Sequence, residues 1–387
     1  MFSRLPLPAI SAGFIAVIIG YTSSAAIVWQ AALAAGASPA MAAGWLSALG
    51  VAMGISSLWL SLRYRAPVLT AWSTPGAALL ATSLHGLTPA QSVGVFIFAA
   101  ALTTLCGVTG LFARLMRAIP PALASAMLAG ILLKFGLDTF RVAPDNGWLV
   151  GAMLIGWLAC RRLFPRLAII AALTCGVAAA LLQGQVALTL PGSPWVPPAF
   201  TLPQFSFSTL LGVGIPFFLV NMASQNAPGF AALQAAGYPV PASPLITSTG
   251  LLTMLLAPFG VFSVCIAAIS AAVCQGEEAG PRPEQRWKAS ACAGAFYLLA
   301  GVSGGLLTAL LAAFPEAFIQ ALAGLALLGT FSGSLTQALR DEGGRDGAII
   351  TFLVTASGIA LAGVSSAFWG LVAGAIVHLA LRRPRAT

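Results

Sequence analysis

Along most of the chain, apolar residues follow one another without the strict alternation of a half-buried strand or the polar face of a surface helix, and only short polar clusters interrupt them. A bilayer core takes about 20 apolar helical residues, and on that ruler the sequence divides into about fourteen segments. The first seven run approximately 8–31, 41–62, 68–84, 90–113, 120–138, 147–163 and 166–183. The last seven run approximately 206–225, 243–257, 261–275, 287–312, 315–337, 347–363 and 366–381. The fold class predicted is an all-α polytopic membrane protein.

Between the two sets lies Gln183–Gln204, with five prolines and no charge. Proline stops a helix and favours extended chain, so residues 191–205 are expected to form an ordered crossover between a first repeat, 1–190, and a second, 206–387. Seven segments per half make the halves enter the membrane from opposite sides, which is the count of an inverted repeat. Two segments are broken at their entrances by proline and glycine: the third, TAWSTPGAALLATSL (Thr70–Leu84), and the tenth, APFGVFSVCIAAISAAV (Ala257–Val273). Broken backbone persists at membrane depth only where it is buried or lines a cavity. Matching breaks in two halves point to a transporter site.

Composition excludes a soluble domain, since 59% of the 387 residues are hydrophobic and 7% charged. The apolar run after Arg4 continues to about Leu33 without an obvious cleavage site, so it reads as a retained span and not a signal peptide. The net charge of +9 reflects topology rather than nucleic-acid binding. With a cytoplasmic N-terminus, 16 of the 18 Lys and Arg residues fall on the cytoplasmic side, and only Lys134 and Arg141 lie elsewhere. The sixteen are Arg4, Arg63, Arg65, Arg114, Arg117, Arg161, Arg162, Arg166, Arg282, Arg286, Lys288, Arg340, Arg345, Arg382, Arg383 and Arg385. Both termini are then cytoplasmic. The six cysteines show no metal-ligand spacing, and neither a metal nor a cofactor is implied.

All nine acidic residues fall at segment ends or in loops. A cation site or proton relay within the membrane ordinarily uses a buried carboxylate, so the pattern favours an anionic or neutral substrate. A half-helix starting near Ser73, Thr74, Pro75 and Gly76 points free N–H groups and a positive dipole end into the membrane. The segment after Pro258, Phe259 and Gly260 is expected to start likewise, with Phe262 and Ser263 near its first turn. In PFFLVNMASQNAPGF (Pro216–Phe230), Asn221 and Gln225 share a helix face, while Gln225 and Asn226 also read as the end of the helix before Pro228. Gly20, Tyr21, Thr22, Ser23 and Ser24 sit near the middle of the first segment. Either broken segment alone reads as small-residue helix packing, whereas the matched pair reads as a site; Asn221 and the first-segment group read alike as cavity lining or as packing, and Asn226 more as a helix end. His85 is the candidate for a coupling proton; His378 and Lys134 read as side chains that snorkel to the interface.

With those residues in view, the chain resembles the benzoate/proton symporter (BenE) family over essentially its whole length, through TAWSTPGAALL, FFLVNMASQNAPGF and FGVFSVCIAAISAAVCQG. Asn221 and Cys265 depart from the residues that the family often has there. The resemblance implies a core of segments 1–4 and 8–11, a gate of segments 5–7 and 12–14, and a site between the third and tenth half-helices. It implies import of benzoate or a similar aromatic carboxylate with a proton across a bacterial inner membrane, and leaves room for a homodimer. The anion's ring is expected against Tyr21, Phe259 or Phe262, its oxygens near Ser73, Thr74 and Gln225. The rivals are a passive anion channel or exchanger, and a nucleobase carrier, on the same scaffold. An intramembrane enzyme lacks a paired nucleophile and base.

Overall fold

The computed structural model describes residues 6–112, 114, 120–164, 167–187, 193–362 and 364–381. Six of the arginines used to orient the chain, Arg4, Arg117, Arg166, Arg382, Arg383 and Arg385, lie outside the described residues, as does the start of the crossover at 188–192.

A helix occupies each of the fourteen apolar stretches. In chain order these are α1 (Leu7–Ala34), α2 (Pro39–Tyr64), α3 (Thr74–Ser83), α4 (Pro89–Val108), α5 (Pro121–Arg141), α6 (Gly147–Leu163) and α7 (Ala168–Leu182). Then follow α8 (Phe207–Ala235), α9 (Ala242–Leu256), α10 (Ile269–Gln275), α11 (Trp287–Val302), α12 (Gly304–Ala312), α13 (Glu316–Leu339), α14 (Arg345–Ala356) and α15 (Ser366–Leu381). Two short strands, β1 (Thr70–Ala71) and β2 (Cys265–Ile266), precede α3 and α10. Among the described residues seven helices are long and apolar enough to cross a membrane, or eight if α11 and α12 count as one bent span.

Three elements differ from the sequence expectation, each for a local reason. The stretch 287–312 is not one helix: it bends by 66° between α11 and α12, where Gly301, Ser303, Gly304 and Gly305 weaken the helical ladder. The eighth segment does not end at Gln225. It continues to Ala235 because a π-helical turn precedes each internal proline, Leu210–Gly214 before Pro216 and Asn221–Asn226 before Pro228. Such a turn relieves the mismatch between a proline ring and the preceding carbonyls. The tenth segment does not become helical at 261; residues 261–264 are extended, β2 follows, and α10 begins only at Ile269.

Helices pack closely through small residues. On α2 and α11, Gly50 lies so near Gly301 that a Cβ on Gly50 would stand 2.6 Å from the Gly301 Cα, and one on Gly54 would stand 2.8 Å from the Gly294 carbonyl oxygen. This is the small-residue contact by which membrane helices bring backbones together. α1 packs against α3 and α11, and α4 against α9; elsewhere α5 packs against α13, α6 against α7, and α14 against α15. From Ser193 the crossover is extended and tied down: Thr201 N–H donates to the Pro258 carbonyl at 2.8 Å, Gln204 N–H to Ala90 at 2.9 Å, and Gly305 N–H to Pro194 at 2.9 Å. The ends of α2 and α11 meet where the Arg65 guanidinium stacks over Trp287, 4.9 Å from the ring centroid.

Overpacking the α2–α11 contact is expected to cost about 1–3 kcal/mol. Gly54→Leu should therefore lower the melting temperature of the detergent-purified protein. Gly136→Leu on α5, where a Cβ meets nothing within 4 Å, should leave it unchanged.

Candidate functional site

The two breaks face each other. β1 and β2 pair antiparallel, with Thr70 opposite Ile266 and Ala71 opposite Cys265, and Ala267 N–H extends the ladder to the Leu69 carbonyl at 2.9 Å. A two-residue ladder satisfies few backbone groups, and neighbouring helices supply the remainder. From α2, Ser57 Oγ accepts the Thr70 N–H at 3.0 Å, Ser56 and Ser57 both bond the Thr70 hydroxyl, and Ser61 Oγ donates to the Val68 carbonyl at 2.8 Å. From α9, Thr253 Oγ1 accepts the Val264 N–H at 2.9 Å; from α8, Asn226 Oδ1 accepts the Ile266 N–H at 2.9 Å. Ser263 is therefore not in a helical first turn: it lies in the extended run, and its Oγ accepts the Ser73 N–H at 3.0 Å across the two breaks.

Each strand feeds a half-helix. Ser73 caps α3, its Oγ accepting the Gly76 N–H at 3.0 Å, and Pro75 sits early in the helix, where its missing donor costs nothing. Of the first-turn donors, the Thr74 N–H has no partner among the described residues. At α10, the N–H groups of Ile269, Ser270 and Ala271 likewise have none. The positive ends of the two half-helices both open on one cavity of about 300 Å³.

Among the described residues, no charged side chain lines the cavity. Polar groups come from Thr22, Ser23 and Ser24 on α1, Thr74 on α3, Ser224 and Gln225 on α8, Ser270 on α10 and Thr330 on α13. The α1 hydroxyls are occupied, Ser23 and Ser24 bonding the Gly20 carbonyl and Thr22 that of Ile18. Thr74, Ser224, Gln225 and Thr330 make no side-chain hydrogen bond among the described residues. Ser24 has a second task, accepting the Trp72 Nε1–H at 2.7 Å and so fixing the indole against the cavity. Tyr21 stands behind Trp72, edge to face at 4.7 Å, and tilts toward Tyr297 at 6.0 Å. The Tyr21 and Tyr297 hydroxyls are buried with no hydrogen-bond partner in bonding geometry among the described residues. Unengaged neutral donors, helix ends and an aromatic face make a site able to hold an anion with a flat apolar body.

Of the residues singled out in the sequence, Gly20, Thr22, Ser23, Ser24, Thr74, Pro75 and Gln225 line this cavity, Tyr21 backs its aromatic wall, and Ser73 and Ser263 build its frame. Gly76 and Asn221 lie deeper, where a Cβ on Gly76 would run into the Asn221 Oδ1 and stand 2.8 Å from the Phe217 ring. Phe262 belongs to a buried cluster with Phe96 and Phe217, at centroid distances of 6.1 and 6.4 Å. Phe259 packs on Phe200 of the crossover at 5.7 Å. Gly260, at φ +91°, lies flat beneath the Trp45 indole, a place for no other residue. None of these last three lines the cavity, and neither does His85, which lies just past the far end of α3. Sequence reasoning missed Trp72, Ser270, Tyr297 and Thr330. A signal existed for Tyr297, one of four tyrosines in the chain and, with Tyr21, one of the two placed within an apolar run away from its ends.

A many-helix bundle with two broken half-helices opening on a shared polar cavity is the architecture of a membrane transporter. The chain belongs to the benzoate membrane transport protein family, which matches residues 3–380. It is 57% identical to "Inner membrane protein YdcO" of Escherichia coli (strain K12) over 97% of this chain and 96% of the relative. It is 36% identical to "Benzoate membrane transport protein" of Acinetobacter baylyi (strain ATCC 33305 / BD413 / ADP1) over 98% of this chain and 97% of that one. Among solved structures, SLC26A9 superposes with a TM-score of 0.66 at 13% identity, covering 97% of this chain, which spans 65% of that longer one. The transmembrane domain of the cyanobacterial bicarbonate transporter BicA gives 0.60 at 14% identity and 97% coverage of both chains. These likenesses establish the fold.

Asn226 and its neighbour Gln225 separate frame from cavity. Asn226→Leu leaves the Ile266 N–H buried and unpaired, expected to cost about 1–3 kcal/mol and to lower the melting temperature. Gln225→Leu should leave the melting temperature unchanged.

Proposed function

We propose that the protein imports benzoate or a similar aromatic carboxylate together with a proton across the inner membrane. The observation that carries this reading is the cavity between two positive half-helix ends, lined by no carboxylate, walled by Trp72 and Tyr297 and backed by Tyr21. The carboxylate lies at the free N–H of Thr74 and the α10 amides, with the Thr74 hydroxyl and the Gln225 amide donating to its oxygens; the ring lies against Trp72. Family membership and the relative named a benzoate membrane transport protein support the substrate class, and the relative named an inner membrane protein supports the location.

The fourteen helical stretches form two inverted repeats of seven about the crossover. A core of the first four and the eighth to eleventh segments, α1–α4 and α8–α12, moves against a gate of α5–α7 and α13–α15. The close pairing of α2 with α11 and α4 with α9, and separately of α5 with α13 and α14 with α15, supports that division. Both termini are cytoplasmic. With no carboxylate on the cavity wall, the coupling proton travels with the substrate, through water or on His85.

Uptake of labelled benzoate into proteoliposomes should become concentrative under an inward proton gradient. Equilibration without accumulation would instead indicate a passive channel, dependence on a counter-anion an exchanger, and competition by nucleobases a nucleobase carrier. Thr74→Val removes one hydrogen bond to a charged group, worth about 1.5–3 kcal/mol. The half-saturating benzoate concentration should rise at least tenfold at normal expression, and an unchanged value would remove Thr74 from the site.

A further inference from the structure

A larger cavity, about 550 Å³, lies further along the same helices. Ser24 and Thr330 line the central cavity, whereas Ala34 and Gln320, each ten residues away on α1 and α13, line this one. At 1.5 Å per residue those pairs are about 15 Å apart, while the facing walls, Ser24 and Trp29 on α1 and Leu327 and Gln320 on α13, come within about 7–11 Å along the helices. Three aromatic rings form much of its wall. Trp29 and Phe135 are largely buried, and Phe314 is held by stacking on Phe318 at 4.3 Å between centroids.

Above this wall stand Lys134 on α5 and His85 beyond α3, and both also line an adjoining cavity of about 530 Å³. The Lys134 ammonium has no ion pair or hydrogen bond among the described residues. Two carboxylates share the cavity: Asp138 Oδ1 is paired with Arg141 at 3.1 Å, whereas Glu316 accepts a hydrogen bond from neutral Gln320 at 2.7 Å and keeps its charge. Lys134 is exposed in the second half of α5, and an unpaired ammonium on a hydrophobic helix is costly unless it serves an anion or reaches water. Beside aromatic rings, it complements a ligand with a flat apolar body and one negative end.

We propose that this vestibule is a second binding site for an aromatic carboxylate, with Lys134 pairing the carboxylate and Trp29, Phe135 and Phe314 receiving the ring. The inference rests on the substrate class proposed above. It differs from the central site in physical character, because a full ammonium holds the anion here and neutral donors hold it there. Binding at the vestibule is therefore the salt-sensitive component.

Equilibrium binding of radiolabelled benzoate to the purified full-length protein tests this. The wild type should bind two benzoates per chain, the one at the vestibule weakening about tenfold between low and high ionic strength. Lys134→Gln should bind one, with the affinity of the salt-insensitive site retained, and Lys134→Arg should bind two. A single salt-insensitive benzoate in the wild type, or two in Lys134→Gln with unchanged affinities, overturns the vestibule and leaves the central site standing. Binding that is lost in Lys134→Gln but indifferent to Thr74→Val keeps the vestibule and removes the central site. No benzoate bound anywhere overturns both. Should Lys134→Gln bind nothing, the salt dependence of the wild type decides.

Discussion

The structure depends on one constraint: backbone N–H and C=O groups placed in hydrocarbon must be satisfied within the protein. The protein opens a gap in two of its helices, and the exposed edges of that gap are closed by a short ladder between β1 and β2. The ladder alone is too short. Serines from α2, a threonine from α9 and an asparagine from α8 take up the groups it leaves over. Only then can the two half-helices leave first-turn amides unpaired toward a shared cavity without the whole region becoming unstable. The polar residues of this bundle thus divide into those that complete backbone and those that face empty space, and neighbours in sequence fall on opposite sides of the divide.

That division decided how much of the molecule could be read from its sequence. Run lengths alone located a helix in every stretch, because apolar continuity over about 20 residues has few other meanings. The first break was legible too, since Ser73-Thr74-Pro75-Gly76 carries a cap, an early proline and a small residue in the order a helix start requires. The second was displaced by eight residues. Val261–Ile266 is an apolar, partly β-branched run, and such a run reads alike as helix or strand until its partner is known. The partner is Thr70–Ala71, nearly two hundred residues earlier, and no local pattern reports it. Pro228 misled in the same way, because the π-helical turn that accommodates it leaves no mark in the composition.

The site was legible in kind more than in membership. The absence of buried acids announced a cavity without negative charge, and no carboxylate lines its wall. Which aromatic residues reach it was beyond local reasoning, for Phe259 and Phe262 adjoin the second break in sequence yet turn toward Phe200 and Phe96. Trp72 faces the cavity because Ser24 on another helix holds its indole. Neutral donors can orient an anion and let it go without breaking a full ion pair.

The bond from the Ser73 N–H to Ser263 has a consequence for how the protein is made. At synthesis rates of roughly 5–20 residues per second, about 10–40 s separate the emergence of residue 73 from that of residue 263. Throughout that interval the first half waits in the membrane with a strand edge that has no partner. The nascent first half is thus an unfinished object whose open edge must be shielded, by lipid headgroups, water or an insertase, until its counterpart arrives. Biogenesis, more than the finished fold, is where this architecture is most exposed to failure.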